Sequence, residues 1–240
     1  MDDKTTKGDA TLMEKYLTPI AVVVGALIIA GAFAFGQGGN TRGADAGKQA
    51  QAVKVNIKDV KTEGNPFIGD ANAPVTMAIW FDYQCPFCKQ LELNVTSQIV
   101  EQYVKTGKVK VVFKDFQFLG EDSQTAAEFS RAMWEAYPNQ YYDWYKAMFV
   151  AQDDEGDKGF GDLDSIKALT AKIPGVDVAK VTALMTQNKA KYAAAIAADR
   201  DEGQKLGING TPAIIVGTTL LSGAQPITAI APLIDAQLKK

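Results

Sequence analysis

The chain has 240 residues, 47% of them hydrophobic and 22% charged, enough for one sizeable globular domain plus an appendage. A net charge of −3 and the lack of any long basic stretch exclude nucleic acid as an expected partner. Two cysteines three positions apart and no histidine exclude every His-dependent mechanism and many metal sites.

In chain order, residues 1–16 form a polar tail, expected to be cytoplasmic, and an apolar run comes next at 17–36. No charge falls between Lys15 and Arg42, so the run matches the roughly 20 residues of a bilayer-spanning helix. Its lack of a polar face argues against a buried core helix. Ala32-Phe33-Ala34 resembles a signal-peptidase site, but the run exceeds the roughly 7–15 residues of a signal core. An uncleaved transmembrane signal anchor is therefore favoured over a cleaved signal peptide. Lysines and arginines flank the span almost equally, so loop charge does not orient it. A single N-terminal span normally exports the chain on its C-terminal side, which places the large domain outside a cell membrane crossed once. Residues 37–52, rich in Gly, Ala and polar side chains, read as a flexible linker.

The domain is expected over 53–240. VKVNIKDV at 53–60 alternates as a strand would. After Asn72-Ala73-Pro74, a turn signal, VTMAIWF at 75–81 reads as a strand covered on both faces. Helical periodicity runs from Pro86 to Tyr103, Gly107 stops it, and KVKVVFKDF at 108–116 is a second strand. That order predicts a parallel βαβ unit. Residues from about 121 to 206 are helical, broken near Pro138, 153–163 and Pro174-Gly175. Two short strands at 212–217 and 218–223 and a closing helix complete a ββα half.

Cys85-Pro86-Phe87-Cys88 lies where the first long strand gives way to the helix. Zinc needs four ligands, and this chain has neither a third cysteine nor a histidine. Haem attachment needs histidine at position 89, which is Lys89. A structural disulfide across so short a loop would restrict the unfolded chain little. A redox-active dithiol fits better. Cys85 precedes the helix, where free backbone N–H groups and the helix dipole favour a thiolate. Pro86 suits the first helical turn, where its missing N–H matters least. Cys88, one turn in, is expected to be more buried and to resolve mixed disulfides.

APVTMAIWFDYQCPFCK at 73–89, VVFKDF at 111–116, GINGTPAIIVG at 207–217 and LSGAQP at 221–226 resemble the DsbA-like (DsbA/BdbD-type) branch of the thioredoxin superfamily. The resemblance covers about residues 64 to 240. It implies an α/β thioredoxin-like fold with a helical insertion at about 121–206. It implies a cis bond at Thr211-Pro212 against the cysteine loop, with the Thr211 backbone pairing with an extended client. It further implies disulfide transfer to exported client proteins, reoxidation by a quinone-linked membrane partner, and no cofactor beyond the Cys85–Cys88 pair. Reductase or isomerase activity is the alternative within the class, and a non-catalytic thioredoxin-like binding module the alternative outside it. Many relatives carry an acid six positions before the first cysteine, where this chain has Ile79. Pro-Phe also replaces the Pro-His of the strongest oxidants. Asp82 is expected at the mouth of the site. Tyr83 and Phe87, with Thr211, are expected to form a client-binding surface. Tyr141, Tyr142, Trp144 and Tyr145 read chiefly as helix-packing core.

Overall fold

The computed structural model describes residues 55–153 and 159–239. The expected tail, membrane anchor and linker lie outside these residues. Among the described residues, no helix is long and apolar enough to cross a membrane.

A five-stranded sheet in the order β1-β3-β2-β4-β5 organises the domain. Its strands are β1 (Phe67–Ile68), β2 (Val75–Phe81), β3 (Val109–Asp115), β4 (Ala213–Val216) and β5 (Thr219–Ser222). β2 and β3 pair in parallel, Val75 opposite Val109 and Phe81 opposite Asp115, and the remaining pairs are antiparallel. The crossover between β2 and β3 is the helix at 86–104, here α1, whose α-helical start Pro86–Leu91 passes into π-helical turns at Glu92–Thr96 and Val100–Val104. The apolar spacing predicts this helix but not its π turns.

Both sheet faces are covered, which explains the nearly unbroken apolar run of β2. Met77, Ile79 and Phe81 join the larger core, whereas Ala78 and Trp80 pack with Val55, Val60, Phe116 and Ile208 on the other side. The expected strand at 53–60 is a correction. Within its described part, Ile57–Asp59 is a 3-10 turn, capped by the Asn56 side chain accepting from the Lys58 N–H. The alternation marks buried ends instead: Val55 and Val60 enter the second core, and the Ile57 N–H bonds to the Gly217 carbonyl.

The insertion consists of α2 (Glu121–Ala136), α3 (Tyr141–Ala151), α4 (Leu163–Thr170), α5 (Val178–Gln187) and α6 (Lys189–Lys205), and α7 (Ile227–Leu238) closes the chain. Buried charges bind this insertion to the sheet. Arg131 on α2 donates from Nε to Asp115 on β3 at 2.6 Å, and its Nη2 reaches Asp199 on α6 at 2.5 Å. Lys114 pairs with Asp199, and with Glu202 at 2.9 Å. Gly203 lets α6 come this close, because a β-carbon there would stand 2.9 Å from Trp80 Nε1.

Candidate active site

The site begins where β2 ends. Asp82 takes the Gln84 N–H on Oδ1 at 2.9 Å and the Phe118 N–H on Oδ2 at 3.0 Å, joining the loop after β2 to the loop after β3. The Cys85 N–H returns to the Asp82 carbonyl at 3.2 Å. The chain then enters α1 with Cys85 as its N-cap and Pro86 in the first turn. The Cys88 and Lys89 N–H groups both donate to the Cys85 carbonyl.

Two sequence expectations are corrected at this point. Asp82 is fully buried, not at the mouth; burial raises its carboxyl above 3.8, opposed by hydrogen bonds from Ser123, Gln84, Phe118 and Leu119. Tyr83 is buried as well and offers no client surface. Its hydroxyl donates to Ser130 at 2.8 Å, and its ring packs against Phe81, Trp144, Tyr145 and Phe149. A residue next to a reactive loop can point either way, and here the aromatic helix α3 supplies the apolar surface that draws Tyr83 inward. Tyr141, Trp144 and Tyr145 are core residues, as their helical spacing indicates.

The opposite wall comes from far along the chain. β4 pairs antiparallel with β2, with Ala213 opposite Trp80, so the residues just before β4 stand beside the cysteine loop. The Thr211–Pro212 bond is cis, and the Thr211 carbonyl accepts from Cys85 Sγ at 3.4 Å. Phe87 projects outward, 59% exposed.

The two thiols have opposite tendencies. Cys85 is lowered from 9.0 to about 6, first by a hydrogen bond from the Cys88 thiol, then by the Thr211 side chain and the Cys88 and Phe87 N–H groups, against a burial penalty. Burial, then its neighbour Cys85, pushes Cys88 well above 9.0. The helix start thus supplies N–H donors, but the partner thiol contributes most. An alkylation series on the reduced protein should show Cys85 reactivity rising through a midpoint near pH 6, with Cys88 inert at neutrality. A single midpoint above pH 8 would contradict the geometry. The linkage has a definite sign: the thiolate stabilises the reduced fold fully above pH 9.0, less between 9.0 and about 6, and not below.

Sequence reasoning missed Gln152, which comes directly after α3. Its Nε2 donates to the Tyr83 carbonyl at 2.6 Å and the Cys85 carbonyl at 3.1 Å, and its own carbonyl accepts from Lys89 Nζ at 2.5 Å. The insertion thereby clamps the loop that presents Cys85. No local signal marks Gln152, because its partners are 69 and 67 positions away.

A family model described as thioredoxin matches residues 61–236. The chain belongs to this family. Among curated thioredoxin-family relatives, disulfide bond formation protein D of Bacillus subtilis (strain 168) is 28% identical over 179 residues, covering 74% of this chain and 78% of that protein. Among solved structures, oxidised BdbD from Bacillus subtilis superposes with a TM-score of 0.70 at 25% identity, covering 79% of this chain and 99% of that one. The thiol-disulfide exchange protein α-DsbA2 from Wolbachia pipientis gives a TM-score of 0.62 at 26% identity, covering 72% and 86%. In this thioredoxin-family frame, CPFC and Thr211-Pro212 form one site across the β2–β4 pair.

Proposed function

We infer that this chain is a thiol–disulfide oxidoreductase whose Cys85–Cys88 pair introduces disulfides into exported proteins. One observation carries the reading: a cysteine lowered to about 6 stands at a helix start, 3.4 Å from the carbonyl before a cis-proline, beside a second, protonated cysteine. Similarity to proteins named for disulfide bond formation supports the same direction.

The chemistry rests on the two thiols. A client thiolate attacks Cys85 Sγ of the oxidised pair, the Cys85–Cys88 bond breaks, and Cys88 takes the electron pair. A second client thiolate then attacks the client sulfur of the mixed disulfide, and Cys85 departs as a thiolate. Two client thiols are oxidised and the pair is reduced. A thiol at about 6 is a good leaving group, and stabilising it favours the reduced pair, which makes the disulfide oxidising.

The client surface comprises Phe87, Phe118 and Val150 with the Thr211 backbone. Phe118 and Val150 are 46% and 62% exposed and lie on segments tied to the site: Phe118 by its N–H to Asp82, Val150 by nearby Gln152. An extended client strand could pair with the Thr211 main chain beside them. Residues 17–36 act as a single-pass anchor holding the domain outside the membrane, and a quinone-linked membrane protein reoxidises the pair, with no cofactor besides it. The long apolar run supports the anchor.

Equilibration with glutathione tests the direction. A reduction potential well above about −200 mV is expected of an oxidase, and one near −270 mV would make the chain a reductase. No exchange at all would leave a binding module. Run in reverse, the Cys85 thiolate attacks a client disulfide and Cys88 then releases the client from the mixed disulfide; Cys88→Ser should therefore trap oxidised clients on Cys85 on non-reducing gels, and bands matching wild type would contradict its resolving role.

A further inference from the structure

Cys85 is a helix N-cap in extended backbone conformation, with φ −80° and ψ 119°, and its side chain makes no cap hydrogen bond. The helix therefore engages the carbonyl of this residue but does not fix the chain that leads into it. Yet Sγ has to stay 3.4 Å from the Thr211 carbonyl and near the Phe87 and Cys88 N–H groups, the contacts that favour its thiolate. A loop free to shift would lose them.

Two side chains pin this loop. Asp82 accepts the Gln84 N–H. Gln152 holds the carbonyls on either side of Gln84: its Nε2 carries two hydrogens and donates to Tyr83 at 2.6 Å and to Cys85 at 3.1 Å. The Cys85 carbonyl also accepts the Cys88 and Lys89 N–H groups, at 3.0 and 3.1 Å. The Gln152 amide and the first turn of α1 thus meet on one oxygen.

This amide has one workable orientation, because turned over it would set its oxygen against two carbonyl oxygens. In that orientation its Oε1 is buried and has no hydrogen-bond partner of good geometry. A buried acceptor in this condition is costly and rare, and it shows that the two donor bonds outweigh it.

Gln152 is itself held firmly. It caps the C-terminus of α3, its N–H donates to the Met148 carbonyl, and its own carbonyl accepts from Lys89 Nζ, the charged group on this turn of α1. Tyr145 and Phe149 of α3 pack on Phe81 at the end of β2. A further contact from the insertion, Gln84 Nε2 to the Phe160 carbonyl at 3.2 Å, holds a side chain of the loop and not its main chain.

We propose that Gln152 is the positioning residue for Cys85: its amide fixes the loop so that Sγ stays against the Thr211 carbonyl and the first-turn N–H groups of α1. The helical insertion thereby sets how readily this sulfur attacks and leaves, which rests on the thiol–disulfide reading of the site.

Alkylation of the reduced full-length chain across pH, with equilibration against glutathione at pH 8, tests this. Gln152→Met keeps the side-chain length but has no donor, and the Cys85 midpoint should rise from near 6 by about one pH unit. The reduced pair should then be disfavoured about tenfold at pH 8, a potential about 30 mV lower. Gln152→Glu should raise the midpoint further, because a carboxylate facing two carbonyl oxygens repels them. Gln152→Asn retains an amide donor and should fall between wild type and Gln152→Met. A midpoint and potential in Gln152→Met equal to those of wild type would overturn the proposal. Failure of the wild-type chain to exchange with glutathione would instead remove the oxidoreductase reading, and the alkylation series would still decide whether Gln152 sets the Cys85 midpoint. If Gln152→Met does not fold, nitrogen-15 NMR of the Gln152 amide in the unaltered reduced chain decides. A resonance that follows Cys85 through a midpoint near 6 supports the coupling, and one constant with pH overturns it.

Discussion

Cys85→Ser should reduce disulfide transfer to the uncatalysed background while leaving the fold intact. At pH 7 a thiol titrating near 6 is about 90% thiolate, against about 3% for an ordinary cysteine at 8.5. The advantage is thus about 30-fold in attacking species before geometry counts. A serine hydroxyl stays protonated in the same place and cannot form or accept a disulfide. The substitution is close to isosteric, and the groups that shape the loop remain: Asp82 beneath it, Gln152 on its carbonyls and Pro86 in the first helical turn. Circular dichroism should therefore stay near wild type, and below pH 6, where the thiolate no longer stabilises the reduced fold, the thermal midpoint should match that of the reduced wild type. Client oxidation surviving in Cys85→Ser would place the chemistry elsewhere.

The largest stability effect is expected at Arg131, far from Cys85 in sequence. Arg131→Ala should lower the unfolding free energy by about 3–5 kcal/mol, because it leaves Asp115 as an uncompensated buried charge and Asp199 with Lys114 as its remaining cation. Asp115 already shows the strain: burial raises its carboxyl above 3.8 even though Arg131 opposes the shift. Lys191→Ala is the control, since its pair with Glu135 lies on the surface and should contribute no more than about 1 kcal/mol. Urea unfolding of both variants measures the difference. Equal losses would mean that water enters the Arg131 cluster and screens it.

The local and the long-range parts of this molecule were legible to different degrees. Strand β2 was readable because a sheet covered on both faces needs an unbroken apolar run, and VTMAIWF supplies one. The helix after Cys85 was readable from its spacing, and Pro86 marked its first turn. The same pattern rule failed at 55–60, where a short capped turn flanked by buried Val55 and Val60 imitates strand alternation.

The amino-acid sequence by itself determined the pair of cysteines, their place between a strand and a helix, and the absence of histidine to assist them. These are properties of neighbouring residues, and helix and strand periods express them directly. Only the tertiary structure decided that Asp82 and Tyr83 turn inward, that Gln152 clamps the Cys85 carbonyl, and that Glu92 is buried against Tyr142 of α3. The reason is physical. Burial of a polar or aromatic side chain depends on which surface arrives to cover it, and here that surface is an insertion helix whose residues begin more than 50 positions after the cysteines.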